Sequence, residues 1–90
     1  LKPFVGELGG SDPYLIFPDA DLPAAAETCA AARLVNNGQS CVAAKRFIVH
    51  QRVADEFVRR LAVAMAAYRV GDPAAPGTRL GLLARADLRD

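Results

Sequence analysis

An α/β fold ordered strand, helix, strand, helix, with parallel strands, is what this 90-residue sequence predicts. Three observations carry it. Tyr14-Leu15-Ile16-Phe17 and Lys45-Arg46-Phe47-Ile48-Val49-His50 are short runs rich in aromatic and β-branched residues, the composition of strands. Between them lies a long Ala-rich stretch opened by Asp21-Leu22-Pro23 and followed by Gly38, which are helix start and stop signals. Beyond the second strand, apolar residues recur at helical spacing from Val53 to Tyr68. Two strands joined through a helix of this length form a βαβ unit, whose strands run parallel and whose crossover is right-handed.

Taken in order, Leu1 to Val5 reads as a cut inside a larger fold, because there is no start methionine and a glycine-rich stretch follows at once. Gly9-Gly10-Ser11-Asp12-Pro13 is a turn: glycine accepts positive φ, and the residue before proline is pushed away from helix. The first strand is apolar on both faces, so it is expected inside a sheet. Asp21 suits the N-cap of a helix over Leu22 to Asn37, and Pro23 sits in the first turn, where its missing N–H has no intrahelical role. Leu22, Ala25, Cys29 and Ala32 lie along one face and Ala26, Ala30 and Leu34 along the next, while only Glu27 and Arg33 are charged. That pattern predicts a helix buried on most sides.

In the second strand Phe47 and Val49 face one way, and Arg46 and Ile48 the other. The second helix, Val53 to Arg69, carries a stripe of Val53, Phe57, Leu61, Ala64, Met65 and Tyr68 opposite Asp55, Glu56, Arg59 and Arg60, so it is expected to be half exposed. Gly71-Asp72-Pro73 through Gly77 is a surface loop, and Leu82 to Asp90 carries no clear pattern. The whole forms one domain at most, and a chain this short buries only about 60% of the surface its unfolded form exposes.

Charge and cysteine usage exclude several functions. Eleven basic against ten acidic residues give no electrostatic basis for binding nucleic acid or an anionic membrane. Two cysteines 12 residues apart, with no signal peptide, make no secreted disulfide framework, so a reducing cytosol and a cytoplasmic location are expected. No apolar run approaches the ~20 residues of a spanning helix. Cys, His and Asp show no ligand spacing, so no metal is expected.

The chemistry concentrates in two stretches. Asn36-Asn37-Gly38-Gln39-Ser40-Cys41 places a cysteine just past a helix-ending glycine, and Gly6-Glu7-Leu8-Gly9-Gly10 places a carboxylate on a glycine-flanked turn 34 residues earlier. A nucleophile and a base on loops beside a regular scaffold form a catalytic layout. Taken alone, a cysteine is most often a small buried hydrophobe, and Cys29, on the packed face of the first helix, fits that reading. Cys41 lies on a loop where backbone N–H groups stay available. It also follows the negative end of a helix dipole, which disfavours a thiolate, so a positive field must come from elsewhere. Glu7 by default is a solvated carboxylate, but Val5, Leu8 and three glycines leave little polarity around it and suit it to general-base work. A protease-like Cys41–His50 pair is rejected, since nine residues of extended chain span up to ~30 Å and no third group orients the imidazole. His50 is expected to be a solvated strand-end residue.

Glu7-Leu8-Gly9-Gly10 and Gly38-Gln39-Ser40-Cys41 resemble, in order and separation, the two signature motifs of the aldehyde dehydrogenase superfamily, and the resemblance runs from Gly6 to about Gly81. Glu7 to Pro13 with Ala43 to Val49 looks most like the succinate-semialdehyde dehydrogenase branch. The resemblance implies a βαβα fragment of the catalytic domain, without the Rossmann-like cofactor domain or the oligomerisation segment. It implies Cys41 as the nucleophile, with its backbone N–H as half of the oxyanion hole, and Glu7 as the base that hydrolyses a thioester on Cys41. It further implies an aldehyde substrate, NAD or NADP as cofactor, and Leu8, Gly9 and Gly10 close to the nicotinamide, whose positive ring would supply the missing field at Cys41. Members that pass the acyl group to coenzyme A commonly lack this glutamate, so Glu7 favours hydrolysis to the free acid. A homo-oligomer, or packing against the missing parts of a larger enzyme, is the expected assembly. Ser11 departs from the Lys or Asn usual there, and Leu82 from the Pro that commonly follows Gly81. The competing readings are an inactive relic and a small interaction module that kept the βαβ unit; intact mass from the native source separates them from a working enzyme's fragment.

Overall fold

The computed structural model describes residues 1–89; Asp90, the last residue of the unpatterned C-terminal stretch, lies outside them. Strand β1 spans Pro13–Ile16 and pairs in parallel with β2, Arg46–Val49, in the register Pro13 to Arg46 through Ile16 to Val49. Helix α1, Leu22–Leu34, connects them, and α2, Ala54–Ala66, follows after a 3₁₀ turn at Gln51–Val53. The expected βαβα order is therefore present, with parallel strands.

The core forms where α1 and α2 pack over one face of this small sheet. Ile16, Leu22, Ala26, Cys29 and Phe57 are its buried members, with Tyr14, Phe47, Val49, Val53 and Leu61 packed around them. Ala30, which is fully buried, shows why the helix is rich in alanine: small side chains allow close approach. Tyr14, Phe47 and Phe57 form a relay from β1 through β2 to α2, edge-on in the first pair and tilted in the second, with centroid separations of 6.0 and 6.2 Å, in the range where aromatic pairs attract. Burial pushes the Cys29 thiol up by penalising its charged form.

Several expectations hold. Asp21 caps α1 by accepting from the Ala24 N–H at 3.1 Å, and Pro23 sits in the first turn. Phe47 and Val49 face the core while Arg46 and Ile48 are exposed. The predicted stripe of α2 is the half-buried or buried side of that region, and the loop through Gly77 lies on the surface.

Others are corrected. Helix α1 stops at Leu34 rather than Asn37, because Asn36 and Asn37 adopt left-handed φ of 50° and 56°; asparagine tolerates that conformation better than most residues. The same helix buries one side only: Pro23, Ala24, Glu27, Thr28 and Ala31 are exposed, since an alanine-rich pattern gives no contrast between faces. The first strand begins at Pro13 and ends at Ile16, and it is not interior: β2 is its one paired neighbour among the described residues, and Leu15 and Phe17 are 57% and 59% exposed, on the sheet face that the helices do not cover. Helix α2 ends at Ala66, leaving Tyr68 beyond it beneath the Arg79 guanidinium, 3.9 Å from the ring centroid, a cation–π contact.

Candidate functional site

The loop between α1 and β2 carries Cys41. Its entry is the left-handed turn at Asn36, Asn37 and Gly38, where φ reaches 76° at the glycine. A methyl group there would lie 3.3 Å from the Arg33 carbonyl, so both conformation and space select glycine. Beyond it, Ser40 Oγ accepts from the Val42 N–H at 3.4 Å and the Ser40 carbonyl from the Ala43 N–H at 3.1 Å. This local turn leaves Cys41 exposed, whereas Ala43 and Ala44 are buried and anchor the exit.

The glycine-flanked segment around Glu7 comes to the same place. Glu7, Leu8, Gly9 and Gly10 line an open cleft of about 580 Å³ with Gly38, Gln39, Ser40, Cys41 and Lys45. A direct tie holds the approach: the Arg46 Nε donates to the Ser11 carbonyl at 2.8 Å, joining the end of the glycine turn to the start of β2. Gly10 borders the cysteine backbone, since a Cβ built on it would lie 3.7 Å from the Cys41 carbonyl oxygen. Gly9 has φ 129° with open space around it, a backbone that L side chains rarely adopt. The two stretches singled out in the sequence thus share one cleft, and His50 lies outside it. His50 instead caps the following 3₁₀ turn, its Nδ1 accepting from the Arg52 N–H at 3.2 Å.

The apolar environment expected around Glu7 is absent from this structure. Glu7 is exposed, and Val5 and Leu8 are 92% and 94% exposed, because no element of the chain packs over them. The helix-dipole difficulty at Cys41 also takes a different form. Helix α1 ends at Leu34, and the axis is broken by the left-handed asparagines before the cysteine is reached. The Lys45 ammonium donates to the carbonyls of Cys41 at 2.8 Å and Ala43 at 3.3 Å, placing a positive charge on the cysteine's own backbone.

Sequence reasoning missed four side chains that hold this loop. Lys45 was read only as a strand residue. Asn37 accepts from the Gly81 N–H at 3.0 Å and donates to the Leu82 carbonyl at 3.2 Å, and Gln39 accepts from the Ala84 N–H at 2.9 Å. The unpatterned C-terminal stretch is therefore strapped to the cysteine turn. Arg33, noted only as a charge on α1, donates to carbonyls on either side of the loop. The asparagine pair before a glycine was the available signal, because Asn-Gly marks a turn as readily as a helix end.

Comparison with known proteins identifies the family and the fold. Residues 1–90 match the Aldehyde dehydrogenase family. The chain is 57% identical over 84 residues to succinate-semialdehyde dehydrogenase (NADP(+)) 1 of Mycobacterium tuberculosis, covering 93% of this chain and 18% of that protein. It is 53% identical over 90 residues to the succinate-semialdehyde dehydrogenase (NADP(+)) of Mycobacterium avium, covering all of this chain and 19% of that protein. Among solved structures, succinate-semialdehyde dehydrogenase from Burkholderia pseudomallei superposes with a TM-score of 0.78 at 47% identity, over 82% of this chain and 15% of that one. The chain thus spans about a fifth of the length of the curated relatives it matches. With both signature stretches on one cleft, and a family match along every residue, the chain belongs to the aldehyde dehydrogenase family.

Proposed function

We propose that this chain is the part of a catalytic domain that carries the nucleophile and hydrolytic base of an NAD(P)-dependent aldehyde dehydrogenase, oxidising an aldehyde to the carboxylic acid. The observation that carries the reading is the shared cleft, which brings Glu7 to the wall that holds Cys41. In this reading the Cys41 sulfur adds to the aldehyde carbonyl carbon, and the Cys41 backbone N–H donates to the developing alkoxide. Leu8, Gly9 and Gly10 would face the nicotinamide of a bound dinucleotide, whose chemistry would be to take up the hydride that leaves the Cys41-bound carbon. Glu7 then takes a proton from water, the hydroxide adds to the thioester and breaks its carbon–sulfur bond, and the proton held by Glu7 returns to the departing sulfur as the acid is released.

The residues present fit the nicotinamide end of such a cofactor. Leu8, Gly9 and Gly10 line the cleft, and the missing side chain at Gly10 leaves the approach to the Cys41 backbone open. The remainder of the dinucleotide would be held by a domain outside this chain, which has no Gly-x-Gly-x-x-Gly stretch. The names of the mycobacterial relatives favour succinate semialdehyde as the aldehyde and NADP as the cofactor.

Two experiments test the assignment. Brief treatment with iodoacetamide followed by peptide mapping should modify Cys41 first, because Cys41 is exposed whereas Cys29 is 3% exposed with its thiol held neutral by burial. Faster modification of Cys29 in folded protein would overturn it. For the base, the chain is grafted in place of the matching segment of the M. tuberculosis relative and assayed for reduced cofactor. Glu7→Gln should keep the first-turnover burst but lower steady-state turnover by about 10²- to 10⁴-fold, the usual worth of a general base. Equal loss of burst and steady state would remove Glu7 from the hydrolytic step.

A further inference from the structure

We infer that Arg33 is a positioning residue, which fixes the Cys41 loop by clasping both of its ends through one guanidinium. Arg33 stands in the last turn of α1. Its Nη1 donates to the Ala44 carbonyl at 2.5 Å, and its Nη2 donates to the Gly38 carbonyl. Gly38 opens the cysteine loop and Ala44 closes it, so one rigid fork spans the segment that presents Cys41. The neighbouring backbone adds a third tie, the Ala44 N–H donating to the Ala32 carbonyl at 3.0 Å.

The chemistry of the fork explains why arginine stands here. Its planar donors are fixed relative to one another, so gripping one carbonyl sets the direction of the other. A lysine ammonium on a flexible stem could satisfy either carbonyl without constraining their separation. Arg33 is half-buried, and no ion pair to it occurs among the described residues. Both donors go to main-chain oxygens of the loop, so the side chain acts on loop shape. Gly38 is matched to it: a Cβ there would sit 3.2 Å from Nη2, crowding the clasp. The consequence for turnover rests on the reading of Cys41 as nucleophile; the clasp itself does not.

The test uses the same graft, with Arg33→Met and Arg33→Lys. Hydrogen exchange by mass spectrometry should accelerate about tenfold or more over 38–44 in both variants, as expected when charge-assisted hydrogen bonds to a loop are lost. Peptides from the first turns of α1 and from α2 should be unchanged. In the same proteins kcat should fall at least about tenfold with KM within about twofold, because a misplaced nucleophile weakens the transition state rather than substrate binding. Unchanged exchange over 38–44 in Arg33→Met, or full retention of loop protection in Arg33→Lys, would overturn the clasp. Acceleration spread equally over α1 and α2 would also overturn it, since that pattern marks a general structural role. Retained turnover in Cys41→Ala would instead sink the nucleophile assignment, and the exchange data would still decide the clasp.

Discussion

Phe57→Ala is expected to leave the chain unfolded at room temperature. Phe57 is 1% exposed and is the largest fully buried side chain, contributed by α2 to a core it shares with Ile16, Leu22, Ala26 and Cys29. Its ring stands 6.2 Å from that of Phe47, which in turn meets Tyr14, so it is the far end of the contact that couples both strands to the second helix. Removing a buried phenylalanine costs about 3–5 kcal/mol, from lost transfer energy and the cavity left behind. A 90-residue domain at about 0.05–0.15 kcal/mol per residue has roughly 5–13 kcal/mol in all. The loose dimensions put this chain toward the lower end: its radius of gyration is 15.8 Å, against about 12 Å for a compact domain of this length. Neighbouring alanines are too small to collapse into the gap. Thermal melts followed by circular dichroism check this, with Val58→Ala as control, since Val58 is 59% exposed and should shift stability by under about 0.5 kcal/mol. A cooperative melt of Phe57→Ala within a few degrees of the parent would show that the aromatic relay does not hold the core.

What could be read from the sequence follows from how strongly each segment contrasts its faces. Helix α2 alternates charge and bulk at helical spacing, and its buried stripe was legible residue by residue. The strand β2 was equally clear, because period-two alternation separates Phe47 and Val49 from Arg46 and Ile48. In α1 nearly every position is alanine or another apolar residue, so periodicity carried no information about which side is buried; that was decided by the position of α2. The turn after α1 is tied by side-chain hydrogen bonds between Asn37, Gln39 and residues 81–84, more than 40 positions away, which no local window contains. At the candidate site, residue types and order were enough to bring Glu7 and Cys41 forward as a pair. The supporting cations were not visible, since Arg33 and Lys45 act on main-chain carbonyls and leave no partner residue to find.

The isolated 90-residue chain is expected to show no aldehyde oxidation and to self-associate as concentration rises. In the proposed reading turnover needs a hydride acceptor held beside a Cys41 adduct, and the chain carries no Gly-x-Gly-x-x-Gly stretch to hold a dinucleotide there. The wall above Glu7 is also missing, as the exposure of Phe4, Val5 and Leu8 between 86% and 94% makes plain. Glu7 and Cys41 are both open to water, and in the proposed reading the high dielectric would weaken electrostatic stabilisation of an alkoxide on Cys41. Association follows from a separate property. The two-stranded sheet leaves the outer edges of β1 and β2 without strand partners among the described residues, and unpaired edges recruit further strands. Leu15, Phe17 and Ile48 are each more than half exposed on or beside that sheet, and Val58 and Val63 add apolar surface on α2. Exposed nonpolar side chains grouped on the outer face of the sheet favour association between copies. The relatives it matches are about five times longer, which leaves ample protein to cover these surfaces. Reduced-cofactor assays with a panel of aldehydes and either dinucleotide test the first half, and any turnover above background refutes it. Light scattering across a concentration series tests the second: the expected result is a mass rising from 9.5 kDa toward dimers and larger species, and a constant monomer mass at high concentration would refute it. Ile48→Lys supplies the discriminating variant, since a charge on the outward face of β2 opposes edge-to-edge pairing and should shift the association to higher concentration while the inward-facing core of Phe47 and Val49 stays intact.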